Sequence, residues 1–183
     1  MAPVGEPGSP VVTQAPGPAL PTDFGFTFDQ QGHLIVTEAF GKATSIPTPG
    51  AGAVSSFTIT ETGALQQISA SVGDGGTAAC WITLEPITGG YAYVANNLSN
   101  SLSSYSVGND GSLTLLAAIA ATASGPNDLG VAREGGRSFL YALNSGSGTI
   151  EAFRINLGNG SLTALPTVGG LPVNDAAQGL AAY

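Results

Sequence analysis

The segment Tyr93-Val94-Ala95-Asn96 returns as Tyr141-Ala142-Leu143-Asn144, 48 residues later. Ser56-Phe57, Ser104-Tyr105 and Ala152-Phe153 keep the same interval, and Gly63-Ala64-Leu65, Gly111-Ser112-Leu113 and Gly160-Ser161-Leu162 follow at 48 and 49. Three landmarks on one period describe a chain of repeated supersecondary units, each too small to bury its own apolar face. Such units must stack on one another.

Inside each unit, short apolar or alternating runs are separated by Gly, Asn, Asp and Ser, which is the pattern of strands and hairpins rather than helices. Four strands per unit are expected. The first, A, is read at Phe24–Phe28, Trp81–Leu84, Leu129–Ala132 and Gly179–Ala182, and the second, B, at Leu34–Val36, Tyr91–Val94 and Phe139–Ala142. The third, C, is read at Val54–Ile59, Leu102–Val107 and Thr149–Ile155, and the fourth, D, starts at Leu65, Leu113 and Leu162. Gly89-Gly90 and Gly135-Gly136 between A and B, with Thr62-Gly63, Asp110-Gly111 and Asn159-Gly160 between C and D, supply the positive φ that tight turns need. Four antiparallel strands so joined make one blade of a β-propeller, with the Gly-rich strand A innermost. The fold class expected is all-β, with about three blades present as an incomplete or half propeller. Segment boundaries are set at 1–22, 23–76, 77–125, 126–173 and a closing inner strand at 174–183.

Two irregularities stand out. The first B-to-C connection, from Thr37 to Ala53, is longer than its counterparts, as a functional or disordered insertion would be. The Pro-rich start is either the last strand of a preceding blade, at Pro10–Ala15, or a frayed tail.

Composition narrows the partners. A formal charge of −8 with only four Lys and Arg leaves no basic stripe for phosphates, against nucleic acid and against anionic membrane surfaces. One cysteine, Cys80, and one histidine, His33, cannot make a disulfide or a Cys/His zinc set. Neither a metal nor a cofactor is expected. No basic segment followed by an apolar run opens the sequence, and no apolar run reaches the length of a membrane span. The expectation is a soluble protein, cytoplasmic by default and exported if a longer precursor exists.

Tyr93-Val94-Ala95-Asn96, followed by Ser103-Ser104-Tyr105-Ser106-Val107 and Asp110-Gly111-Ser112-Leu113-Thr114, resembles the Tyr-Val-Thr-Asn repeat of lactonase-type seven-bladed β-propellers. That group includes 6-phosphogluconolactonase-like and carboxymuconate-cyclising enzymes. Cys80-Trp81-Ile82 and Asp23–Asp29 are similar to stretches of its bacterial members, and the resemblance covers roughly residues 22–183. It implies the carboxy-terminal portion of such a propeller. The chain is then a fragment, a truncated product, or a half-propeller that self-associates through exposed blade faces.

The resemblance also implies lactone hydrolysis at one channel mouth, formed by loops entering strand A and loops joining B to C. That chemistry needs a base to activate water and donors for the oxyanion. Glu38 is the first choice for the base and Asp128 the second, with Asn96, Asn127, Asn144 and Asp175 as substrate-binding residues for a lactone or sugar. Each has a structural reading beside it: Glu38 as a solvated loop acid, Asp128 and Asp175 as turn residues. Arg133, Arg137 and His33 belong to the opposite mouth, and Cys80 lacks a histidine to make it a nucleophile. The alternative function is a non-catalytic propeller that binds a partner through its polar loops.

Overall fold

A computed structural model of the chain describes residues 22–40, 48–173 and 178–182. The described regular structure is entirely β, in three antiparallel sheets. Blade 1 is β1 (Thr22–Phe28), β2 (Leu34–Phe40), β3 (Ala53–Ile59) and β4 (Leu65–Gly73), paired in that order. Blade 2 repeats it with β5 (Ala79–Leu84), β6 (Tyr91–Asn96), β7 (Ser101–Val107) and β8 (Leu113–Thr122). Blade 3 is β9 (Pro126–Glu134), β10 (Arg137–Asn144), β11 (Thr149–Ile155) and a fourth strand in two pieces, β12 (Leu162–Ala164) and β13 (Val168–Gly169), both paired with β11. Pro166 lies between the pieces and has no N–H to offer a ladder. The architecture is that of about three blades of an incomplete propeller.

Two details differ from the sequence reading. Residues 178–182 carry no strand, although they lie against blade 3: a Cβ on Gly130 would fall 3.3 Å from Leu180. The inner ends of the strands also run further than hydropathy suggests, because β2 includes Thr37 and Glu38 and β9 starts at Pro126. Polar residues read as loop therefore stand on strands.

The core lies between blades rather than within them. Ile35, Val54, Ile82, Val94 and Tyr105 close the first interface, and Tyr93, Leu102, Leu129, Leu140 and Phe153 the second. Each buried aliphatic side chain contributes about 1.5–3 kcal/mol against exposure. Hydrogen bonds cross the same seams: Tyr105 Oη donates to Val72 O at 2.9 Å, Ser56 Oγ to Gly111 O at 2.7 Å, and Tyr93 Oη to Gly160 O at 2.8 Å. The inner strands approach closely where the side chain is smallest. A Cβ on Gly25 would lie 2.5 Å from the Cys80 carbonyl oxygen, so only Gly fits there.

Blade 1 shows what such a face looks like uncovered. Phe26, Ile82 and Leu129 occupy one repeat position, opposite Val36, Val94 and Ala142. Ile82 and Leu129 are buried, but Phe26 is 62% exposed, with Phe24 and Phe28 beside it at 47% and 50%. Among the described residues no helix is long and apolar enough to cross a membrane.

Candidate functional site

The loops that lead into strand A and those that join B to C meet in pairs at one end of the blades. Asn97 N–H donates to Ala78 O and Leu98 N–H to Thr77 O; Ser145 N–H donates to Gly125 O and Gly146 N–H to Ser124 O. Asn97 Nδ2 also bonds Asn127 Oδ1 across the second seam. Glu38, Asn96 and Asn144 stand at one repeat position at this end, opposite Ala53, Ser101 and Thr149. Arg133 and Arg137 are paired with Ser138 and Glu134 at the far end of the same strands.

Glu38 is not a solvated loop acid. It is 4% exposed, and its two carboxylate oxygens accept from Ser55 Oγ at 2.5 Å and Ser71 Oγ at 2.7 Å. Ser71 reaches it from a bulge with φ of 41°, an uncommon conformation for a non-glycine residue. Across the β1–β2 ladder, Asp23 is the register partner of Glu38. Burial pushes the Asp23 carboxyl above the usual carboxylate range, and the Glu38 charge pushes it the same way. Two carboxyl groups in different surroundings are thus placed on paired strands. The pairing of Asp23 with Glu38 is set by strand register rather than by spacing along the chain, so the sequence alone does not show it.

Asp128, the second choice for the base, accepts only backbone donors among the described residues. Buried to 2% exposure, it accepts Leu129 N–H through Oδ1 and Gly179 N–H and Leu180 N–H through Oδ2, at 2.7, 2.6 and 2.8 Å. Its carboxylate fastens residues 178–182 to blade 3, two blades from Glu38. Asn96 and Asn144 are fully buried, and Asn127 is engaged by Asn97. Asp175, with Asn174 and Lys42, lies outside the described residues.

Asp74 is a buried acid that escaped the sequence reading. Its carboxylate takes Gly76 N–H and Ser103 Oγ, each at 2.7 Å, beneath Asn96, whose side chain leaves no room for a Cβ on Gly76. The signal was Gly73-Asp74-Gly75-Gly76, an acid held among glycines. At the opposite end Glu85, fully buried, binds Ile87 N–H, Thr88 N–H, Thr88 Oγ1 and Ser138 Oγ. Burial raises its carboxyl, but those donors together outweigh burial and hold it below the usual range. His33 is half-buried and pairs with Asp29 at 2.7 Å in the first A–B hairpin. Burial pushes the Cys80 thiol up, against an opposing hydrogen bond from the Asn97 backbone, so the thiolate is disfavoured. Among the described residues no cluster of three His, Cys, Asp or Glu side chains could hold a metal.

Residues 74–173 match the family described as lactonase, seven-bladed β-propeller. The chain belongs to that lactonase-type propeller family. A functionally unknown protein from Desulfotomaculum acetoxidans DSM 771 is 26% identical with a TM-score of 0.67, over 84% of this chain and 44% of that one. A protein from Bacteroides uniformis ATCC 8492, described as a "putative 6-phosphogluconolactonase", is 19% identical with a TM-score of 0.59, over 80% of this chain and 43% of that one. This lactonase-family chain therefore spans less than half the length of these solved structures. No curated protein matches it.

Proposed function

We propose that this chain carries the acid–base pair of a lactone-hydrolysing propeller, with Glu38 and Asp23 as its two carboxyl groups. The supporting observation is their placement as register partners, with the Asp23 carboxyl raised while Glu38 acts only as an acceptor to two hydroxyls. Two carboxyl groups whose environments differ divide the roles of acid and base between them. Glu38 takes a proton from water as its oxygen adds to the lactone carbonyl. The tetrahedral intermediate collapses, the ring C–O bond breaks, and Asp23 gives its proton to the leaving alkoxide, yielding the hydroxy acid. The substrate class is a sugar or carboxylate lactone, as family membership suggests.

The test is hydrolysis of a sugar δ-lactone by the intact chain beside Glu38→Gln. The reading expects turnover that falls at least about a hundredfold in the variant. No turnover, or turnover unchanged by the substitution, removes it.

A second reading is a propeller that binds a partner without chemistry. It is favoured by the commitment of Asp128 to the 178–182 segment and by the burial of Asn96 and Asn144, which leaves few free polar groups for a small substrate. The three described arginines, Arg133, Arg137 and Arg154, also lie toward the other end of the blades.

A further inference from the structure

Each seam between blades is closed by a hydroxyl of one blade that donates to the C–D turn glycine of the next. Ser56 Oγ reaches Gly111 O at 2.7 Å, and Tyr93 Oη reaches Gly160 O at 2.8 Å. Gly63 holds the same turn position in blade 1, and Tyr141, opposite Ala152, holds in blade 3 the position of Tyr93, opposite Ser104. The chain therefore carries the acceptor of a further seam at one end and its donor at the other. Among the described residues neither the Gly63 carbonyl nor the Tyr141 hydroxyl has a hydrogen-bond partner.

The apolar faces around these two groups match in the same way. On blade 1, Phe26, Phe57 and Ile59 stand where blade 3 has Leu129, Phe153 and Ile155, which blade 2 covers. Phe26 and Ile59 are exposed and Phe57 is half-buried. On blade 3, Tyr141 and Ile150 stand where blade 2 has Tyr93 and Leu102, which are fully buried in the second seam; Tyr141 and Ile150 are only half-buried. None of these side chains is charged, so bringing the two faces together desolvates no ion among them.

We propose that two copies of this chain join head to tail, blade 3 of each against blade 1 of the other, with Tyr141 Oη donating to the Gly63 carbonyl of the other copy. Continuity with the two seams inside the chain selects this occupant, because the same repeat positions already pack on one another twice. Two copies bring six blades together, within the four to eight that propellers use, so the head-to-tail contact closes as a ring instead of growing into a filament.

One segment must move. β1 lies against β5 and β5 against β9, and residues 178–182 take the corresponding place on β9, with Leu180 beside Gly130. β1 of the second copy needs that place. Its arrival releases Gly179 and Leu180 from Asp128, which thereby loses two of its three backbone donors. Asp128→Ala removes both the fastening and the stranded carboxylate, and so favours the ring.

The experiment is sedimentation equilibrium of the intact chain over a range of concentrations, beside Phe26→Ser, Ile150→Ser, Tyr141→Phe and Asp128→Ala, with circular dichroism confirming the fold of each variant. A reversible monomer–dimer equilibrium is expected. Phe26→Ser and Ile150→Ser each weaken it about tenfold or more, since each alters both seams of the ring. Tyr141→Phe removes one hydrogen bond per seam and weakens it about tenfold, whereas Asp128→Ala tightens it. Tyr141→Phe carries the test of blade 3 if Ile150→Ser does not fold. A monomer at all concentrations overturns the proposal. So does association indifferent to Ile150→Ser and Tyr141→Phe, the result expected of two blade 1 faces pairing with each other. Mass that grows beyond two copies, or association weakened by Asp128→Ala, overturns it as well.

Discussion

Tyr93 Oη donates to the Gly160 carbonyl oxygen at 2.8 Å, joining the second strand of blade 2 to the C–D turn of blade 3. Tyr105 makes a comparable bond to Val72 across the other seam. Both phenols are pushed well above the usual tyrosine range, by burial first and by nearby carboxylates second, which disfavours their ionisation. Tyr93→Phe is expected to cost about 1–3 kcal/mol, because the Gly160 carbonyl then loses its partner in a buried seam. Urea denaturation of the variant gives the number, and a change within experimental error would show the bond to be incidental.

The glycine beneath that bond is constrained twice. Gly160 has φ of 72°, and a Cβ there would lie 2.6 Å from Tyr91 Cδ1; Gly111, with φ of 79°, would meet Ile68 at 2.7 Å. Gly63 occupies the same turn in blade 1 with φ of 79° and nothing within 4 Å. Alanine at Gly63 therefore meets only the backbone penalty of about 1 kcal/mol, whereas at Gly160 or Gly111 it meets the neighbouring blade as well, adding about 1–3 kcal/mol. Equal thermal shifts for all three variants would contradict this.

Asp128 holds the 178–182 segment through Gly179 and Leu180. Asp128→Ala is expected to speed amide exchange at Gly179 and Leu180 far more than in the β6–β7 ladder, with a global loss of about 2 kcal/mol. Exchange followed by mass spectrometry separates that local release from general unfolding.

Glu85 ties the A–B turn of blade 2 to Ser138 of blade 3. Its folded carboxyl is lowered, so the stabilisation is full above the unfolded-state pKa and is lost as pH falls through the folded value. Glu85→Gln should thus be less stable than wild type at neutral pH, with the gap closing as the solution is acidified. Thermal melts across the acid range test the slope, and a gap that widens on acidification would reverse the assignment.

Phe26 is 62% exposed where Ile82 and Leu129 are buried by the preceding blade. A face of this kind is expected to draw a second copy of the chain, giving concentration-dependent mass in sedimentation that Phe26→Ser reduces. A constant monomer mass at all concentrations would show the face to be self-sufficient.

Much of the fold was open to reading in one dimension. The 48-residue interval, the Gly at each C–D turn and the alternation of Leu102–Val107 specify blades and their order, because each property acts within a hairpin. The limits of that reading fall at strand ends. Thr37 and Glu38 looked like loop, yet they pair in β2 because Ala53 and Val54 supply the ladder. Gly179–Ala182 looked like a strand, yet it forms none and is held by a carboxylate instead.

The sequence by itself determined that this chain repeats, that the repeat is a four-stranded blade, and that glycine must stand at its turns. Tertiary structure decided what each polar side chain does. Asp128 fastens a distant segment, Glu38 is held by two serines, and Asn96, Asn144 and Glu151 each keep a buried oxygen without a donor among the described residues. The reason is physical: a repeat period announces which positions are equivalent, but a buried acceptor is satisfied by whatever the neighbouring strand or blade brings to it. Those donors come from residues that only packing brings within 3 Å.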